Sequence, residues 1–311
     1  MRTLHLVTTE SPFFEKQIQA LEERGVSCTV VSMPKRGETA RSVLSYGSFY
    51  SRVLQSAMDD FDIVHANYGL VGPFALAQPN RPVVLTLWGS EVMGSSRWLD
   101  ALSAWTARQC DAVVAPSPAI AARLDCDHHL VPFGVDTDLF EPIPQHEARE
   151  QVGWDPDEHV VLFPYPPRRT VKNYPLAERV VAQLPDNVVL KTMWGVPYEK
   201  VPVYMNASDT VLVTSRRESG PMVVKEATAC GVPVVSTDVG FVADVLEDVP
   251  QSFVCSSEAE LVEGLRAALT AETSESPSRE ITHDLDRMGD QLLRVYHDVL
   301  DNSTEGTRVR T

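Results

Sequence analysis

A chain of 311 residues with 43% hydrophobic content exceeds what one ordinary core requires and is long enough for two domains of similar size. Its formal charge is -16, and the 27 basic residues comprise few lysines and many arginines, a balance that excludes the basic stripe needed for nucleic-acid backbone binding. An acidic, lysine-poor surface also suits solubility at high salt, a reading under which activity and folding survive molar KCl; an acidic protein of no special habitat is the equal alternative.

The opening stretch MRTLHLVTTESPFF lacks a signal-peptide apolar core. No run approaches the roughly 18 to 20 apolar residues that span a bilayer, so the expected location is cytoplasmic. Cys28, Cys110, Cys126, Cys230 and Cys255 show neither C-x-x-C spacing nor a histidine pattern beside them. They predict no zinc site and no disulfide framework, and read as small buried hydrophobes. The N-x-[ST] matches at Asn206 and Asn302 carry no weight without a secretion signal.

In chain order, strand-length apolar runs fall at 4–9, 28–33, 62–67, 82–88, 111–116 and 128–133, each followed by a longer segment of helical periodicity. Strands apolar on both faces that alternate with helices predict a parallel sheet covered on both sides, here a doubly wound α/β domain over 1–137. The stretch 131–159 breaks that rhythm, because Pro142, Pro144 and Pro156 cannot continue a helix or a central strand, and the domain junction is placed there. The alternation resumes at 160–165, 187–193, 210–215, 233–237 and 252–255, predicting a second α/β domain over 138–283. A polar loop at 270–280 leads to an amphipathic helix over 284–301. Its Leu285, Met288, Leu292, Val295, Tyr296 and Val299 make one apolar stripe, and a polar, frayed tail is expected over 302–311.

The stretch RRESGPMVVKEATACGVPVVSTDVG, 216–240, holds Glu218 and Glu226 on either side of Gly220 and Pro221. Proline favours the first turn of a helix and glycine the position past its end, which predicts a helix from about Pro221 to Ala229 ending near Gly231. Glu218 then stands at the carboxyl edge of the sheet, where open α/β sheets bind ligands, and Glu226 lies about one turn along the helix. The first amides of that helix, on Met222 and Val223, form a ready anion site, and Gly220 permits close approach of backbone and ligand. A phosphate at the helix tip, one carboxylate in the loop and another on the helix describe a receptor for a nucleoside diphosphate sugar. Glu226 would accept both ribose hydroxyls and Glu218 would lie against the sugar. Two solvated charges beside an ordinary turn are the plain alternative. The small-residue helix EATACG and the strand VPVVSTDVG weigh against it.

On these residues the chain resembles the retaining glycosyltransferases of family 4. ESGPMVVKEATACGVPVVSTDVG is similar to their E-x7-E signature, VPFGVDTDLFEP to their interdomain segment, and DIVHANYGLVG and VVLTLWGSEV to their acceptor-domain strand ends. RRTVKNYPLAE is similar to their diphosphate-binding stretch. The resemblance implies a GT-B fold: two doubly wound Rossmann-like domains facing across a cleft, the first binding an acceptor and the second a nucleotide sugar, with the C-terminal helix crossing back to the first. It also implies Arg169 and Lys172 as the pair that neutralises the diphosphate. Charge builds on the leaving oxygen as the glycosidic bond breaks, and two fixed cations stabilise that state more than the ground state. No metal and no cofactor are then expected beyond the nucleotide diphosphate sugar as co-substrate.

Two departures bear on the acceptor side. The first βα loop reads TTESPFF where many relatives carry a glycine pair, and Trp88 stands where many have histidine. His65, Gly89, Ser90 and Glu91 are the acceptor-side candidates, with Glu91 or His65 as the group able to act as a base. The expected acceptor is a glycan, a lipid-linked molecule or a small molecule, not nucleic acid, and peripheral membrane contact is left open. The reading is a metal-independent, retaining, hexosyltransferase-like enzyme. Its alternatives are a catalytically silent partner subunit, a sugar-nucleotide epimerase or a phosphorylase on the same fold.

Overall fold

The computed structural model describes residues 1–34, 43–93, 96–218, 220–270 and 284–308, without the side chains of 43 and 303–308. The chain divides into two units: Met1–Gly134 together with Leu285–Thr311, and Val135–Asp284.

The first unit begins with β1 (Arg2–Val7), α1 (Pro12–Glu22), β2 (Ser27–Ser32), α2 (Val43–Ser56), β3 (Ile63–Asn67) and α3 (Gly72–Leu76). It continues with β4 (Val83–Thr86), α4 (Arg97–Ala107), β5 (Ala112–Ala115), α5 (Pro118–Ala121) and β6 (His129–Leu130). The strands are parallel, in the order β2-β1-β3-β4-β5-β6. Both faces of the central strands are buried: Leu4, Leu6, Val64, Ala66, Val83, Val84 and Leu85 have no exposure, nor do His5 and His65, which interrupt the apolar runs of β1 and β3. Helix α1 starts where Ser11 accepts the Phe14 amide and Pro12 presets the first turn.

The second unit runs α6 (Gln145–Val152), β7 (His159–Phe163), α7 (Tyr174–Val181), β8 (Val188–Thr192), α8 (Val201–Asn206) and β9 (Thr210–Val213). It ends with α9 (Met222–Ala229), β10 (Val234–Thr237), α10 (Val242–Leu246), β11 (Phe253–Cys255) and α11 (Glu258–Thr270). Its sheet is also parallel, in the order β11-β10-β9-β7-β8. Winding starts at β7, steps out to β8, then returns past β7 to β9 and onward, so the reversal lies between β7 and β9. In the first unit it lies between β1 and β3.

The last helix, α12 (Leu285–Arg308), returns to the first unit and packs along α1. Its buried face is Met288, Leu292, Val295, Tyr296 and Val299. Arg24, at the end of α1, donates to Asp290 Oδ1 at 2.6 Å and to Asp286 Oδ1 at 3.0 Å. The helix extends past residue 301, so the tail expected to fray from Asn302 begins as helix, each further residue adding a backbone bond once the helix is nucleated. The expected loop at 270–280 falls, after Thr270, outside the described residues.

All five cysteines are free thiols. Cys230 and Cys255 are buried, but Cys28, Cys110 and Cys126 are half-buried, which corrects the uniform burial expected of them. Among the described residues no helix is long and apolar enough to cross a membrane.

Candidate functional site

Because β7 lies between β8 and β9, the loops leaving these three strands emerge side by side at the carboxyl edge of the second sheet. Where a doubly wound sheet reverses direction, its loops diverge and leave a crevice. Here that crevice is a cavity of about 420 Å³. Arg169 and Lys172 line it from the loop after β7, Trp194 and Tyr198 from the loop after β8, and Glu218 and Glu226 from the segment after β9.

Glu218 is fixed through one oxygen. Its Oε1 accepts from Ser215 Oγ at 2.7 Å and from Tyr165 Oη at 3.3 Å, and Lys172 Nζ makes an ion pair with the same atom. The Lys172 ammonium also lies over the Tyr165 ring, 3.8 Å from its centroid. Burial lowers the Lys172 pKa, and Arg169 acts the same way while Glu218 opposes both. Burial, then the Glu218 charge, raises the Tyr165 phenol well above its ordinary value. Lys172 was expected to share a diphosphate with Arg169, and its nearest partner here is Glu218. Arg169 differs: its side chain is exposed and, among the described residues, that side chain makes no hydrogen bond or ion pair.

Glu226 stands one turn into α9 and is 8% exposed. Its Oε1 accepts from Tyr198 Oη at 3.1 Å. Burial pushes its carboxyl up to about 7, against the opposing effect of the Tyr198 bond. Met222 and Val223, the first two residues of α9, line the cavity, and their amides fall in the first turn, which has no helical acceptor to offer them. Helix α9 begins after Pro221, with the Val224 amide donating to the Pro221 carbonyl at 3.0 Å.

Gly220 also lines the cavity, but what a side chain there would meet is the Phe241 ring, 3.1 Å from an added Cβ. Gly240 has φ +63°, and a Cβ on it would lie 2.8 Å from the Glu218 carbonyl oxygen. Glycine at 240 therefore lets the loop after β10 close against the Glu218 backbone.

The first-unit candidates are distributed differently. His65 has no exposure: its Nδ1 bonds Tyr296 Oη at 2.6 Å and its Nε2 bonds Thr86 Oγ1 at 2.7 Å. Burial, with the neighbouring His5, holds its pKa well below the ordinary 6.5. His65 was expected on the acceptor side, and here both of its ring nitrogens are used in the core. Glu91 is also wholly buried. Its Oε1 accepts the Trp88 amide at 2.7 Å and the Gly69 amide at 3.4 Å, and burial pushes its carboxyl up to about 7. It holds the strand-end turns through these two amides. Gly89 is buried with φ +110°, and exposed Ser90 bonds Tyr68 Oη at 2.9 Å. Tyr68 itself has φ 112°, a conformation costly for a side-chain-bearing residue.

Sequence reading missed Tyr165, Ser215 and Tyr198. The available signal was position: each lies within six residues of a predicted strand end on the edge that carries Glu218. Among the described residues no group of three or more histidine, cysteine or acidic side chains could hold a metal ion.

Two parallel doubly wound units with this strand order define a GT-B fold, and comparison with solved structures agrees. HepE of Anabaena, solved with UDP and glucose, aligns over 95% of this chain and 99% of its own with a TM-score of 0.74 and 17% identity. Residues 3–139 match the family described as Glycosyltransferase Family 4, and residues 178–283 match Glycosyl transferases group 1. The chain belongs to the family 4 glycosyltransferases. Its sequence is 27% identical over 255 residues to D-inositol 3-phosphate glycosyltransferase 1 of Catenulispora acidiphila, covering 62% of this chain and 60% of that protein. It is 29% identical over 174 residues to the lipopolysaccharide core biosynthesis mannosyltransferase LpsB of Rhizobium meliloti, covering 45% of this chain and 48% of that one. The chain thus spans between about half and three-fifths of these relatives' lengths.

Proposed function

We propose that the protein transfers a sugar from a nucleoside diphosphate sugar to an acceptor hydroxyl, with retention of configuration and without a metal. The observation that carries this reading is the cavity at the second sheet's reversal, where Glu218 and Glu226 share one wall system with Arg169, Lys172 and the start of α9. In this reading the diphosphate lies against Arg169, Lys172 and the α9 amides, the ribose against Glu226 and the sugar against Glu218. As the bond from the anomeric carbon to the diphosphate oxygen breaks, its electron pair stays on that oxygen. The exposed Arg169 and the helix tip stabilise the resulting charge without reorganising. Lys172 contributes the same charge while anchoring Glu218.

Support for a nucleotide-sugar donor comes from family membership and from HepE, whose structure contains UDP and glucose. The acceptor is a hydroxyl compound bound by the first unit, where exposed Ser90 and half-buried Tyr68 are among the polar groups at the strand ends. A thermal-shift panel of UDP-, GDP-, ADP- and dTDP-sugars tests the donor site, because a ligand at a hundred times its Kd stabilises by about 2.7 kcal/mol. One nucleotide class should raise the melting temperature of the wild type and fail to raise that of Glu226→Ala. Binding that requires added Mg²⁺ and disappears with EDTA would refute the metal-free arrangement.

A further inference from the structure

We infer that Tyr198 is the positioning residue that makes the second glutamate selective for a ribose diol; this rests on the donor-site reading above. The phenol donates to Glu226 Oε1 at 3.1 Å, and both groups line the cavity. Glu226 Oε2 makes no hydrogen bond among the described residues. The Tyr198 ring is braced edge-on by Phe140, with centroids 5.5 Å apart, and Phe140 is itself 1% exposed. The phenol oxygen therefore has a fixed place, and once its proton is committed to Glu226 it still carries lone pairs.

Two acceptors are thus presented to the cavity, the Glu226 carboxylate through Oε2 and the Tyr198 oxygen. Two adjacent hydroxyls of one ribose match such a pair, each donating to one acceptor. A sugar lacking one hydroxyl leaves a desolvated acceptor without a donor, and sites built on such bonds reject the deoxy analogue strongly. No cation is among the groups that shift Glu226, so Tyr198 is the side chain that orients its charged form. Glu218 offers the contrast: a lysine, a serine and a tyrosine all hold its Oε1. One phenol does for Glu226 what three groups do for Glu218.

The test measures Kd by calorimetry for UDP, GDP and ADP, each against its 2′-deoxy and 3′-deoxy counterparts, with the wild-type full chain and Tyr198→Phe. The wild type should prefer the ribose form of its nucleotide by at least tenfold. Tyr198→Phe keeps the ring against Phe140, so its melting temperature should hold, while the preference should fall to about twofold or threefold. Most of that change should come from weaker ribose binding rather than tighter deoxy binding. If the phenylalanine variant does not fold, Tyr198→His against Tyr198→Leu replaces it, and the histidine, which restores a ring donor, should recover part of the preference that the leucine loses. An unchanged ribose preference in Tyr198→Phe, or equal preferences in the histidine and leucine variants, would overturn the inference and leave the donor site standing. Failure of the wild type to bind any of the three nucleotides would remove the donor-site reading and this inference together.

Discussion

In the first sheet the strands beside the reversal carry polar groups in their carboxyl halves, whereas in the second each such strand is apolar after its first residue and the carboxyl-edge polar groups lie in the loops. His5 on β1, His65 and Asn67 on β3 and Thr86 on β4 have at most 1% exposure. They are consumed internally: His65 bonds Thr86 and Tyr296, and Asn67 accepts from Gln17 of α1 at 2.9 Å. In the second sheet β7 is HVVLF and β9 is TVLV, apolar from the residue after His159 and Thr210 up to Phe163 and Val213. Tyr165, Lys172, Ser215 and Glu218 follow in the loops. A polar side chain inside a strand of a doubly covered sheet must find partners in the layers above and below, which ties helices to the sheet. One just past the strand end can face a crevice. Within a strand, position therefore commits a polar residue to the fold; beyond the strand end burial and partners decide, since Glu91 stands five residues past β4, as Glu218 does past β9, yet accepts backbone amides.

The largest expected effect tests the second half of that distinction. Arg169→Ala removes an exposed cation whose side chain makes no hydrogen bond or ion pair among the described residues, so the melting temperature should change little. Turnover should fall roughly 10²-fold, with a smaller change in KM, because its charge is most useful after the leaving group has become negative. Steady-state kinetics with the tightest-binding nucleotide sugar decides this, and a rise in KM at constant kcat would assign Arg169 to ground-state binding alone.

A smaller effect distinguishes Glu226 by pH. Its folded pKa of about 7 lies above the ordinary 4.5, so its contribution to stability is fully present below 4.5 and is lost as pH rises through 7. Donor binding has the opposite sign, since ribose hydroxyls need the ionised carboxylate as acceptor. Affinity for a nucleotide sugar, whose diphosphate diester does not titrate in this range, should rise about tenfold from pH 6 to pH 8. Glu226→Gln should bind weakly with a flat profile over that interval, which also separates this effect from deprotonation of Lys172. A wild-type profile as flat as the variant's would mean that Glu226 does not meet the donor.

Much of this architecture was legible because it depends on period and punctuation. Eleven apolar runs became eleven parallel strands, and the Gly-Pro break with Gly231 located α9, where the structure places Met222–Ala229. Five of the six residues of the stripe on the last helix are buried and Leu285, at its start, is half-buried. What could not be read was partnership across the fold. His65 and Tyr296 are separated by 231 positions, yet share a 2.6 Å bond, and Tyr198 meets Glu226 from another βα loop. Nothing in local spacing distinguishes a histidine whose nitrogens are both bonded from one facing solvent. The strand-end rule would have helped: His65 lies two residues inside β3, whereas Glu218 lies five beyond β9.

Glu91 offers the finest test, because burial pushes it up to about 7 just as it does Glu226. A raised carboxyl pKa would suggest a catalytic group in both places, but the surroundings separate them. Glu226 lines a cavity, while Glu91 accepts backbone amides from Trp88 and Gly69 and its Oε2 is buried with no hydrogen-bond partner among the described residues. At pH 8 Glu91 is ionised at the expense of the fold, since a folded pKa raised from 4.5 to about 7 gives stability present below 4.5 and lost through 7. Glu91→Gln keeps an oxygen for the two amides and removes the charge, at the cost of a weaker acceptor and a buried NH₂. The net effect at pH 8 should be a stabilisation of about 1 kcal/mol, read as a rise of a few degrees in melting temperature, shrinking to nothing or reversing by pH 5. Nucleotide affinity should not change. Loss of turnover in Glu91→Gln at unchanged or higher stability would instead make Glu91 a working carboxyl, and strand-end burial would no longer separate scaffold from site.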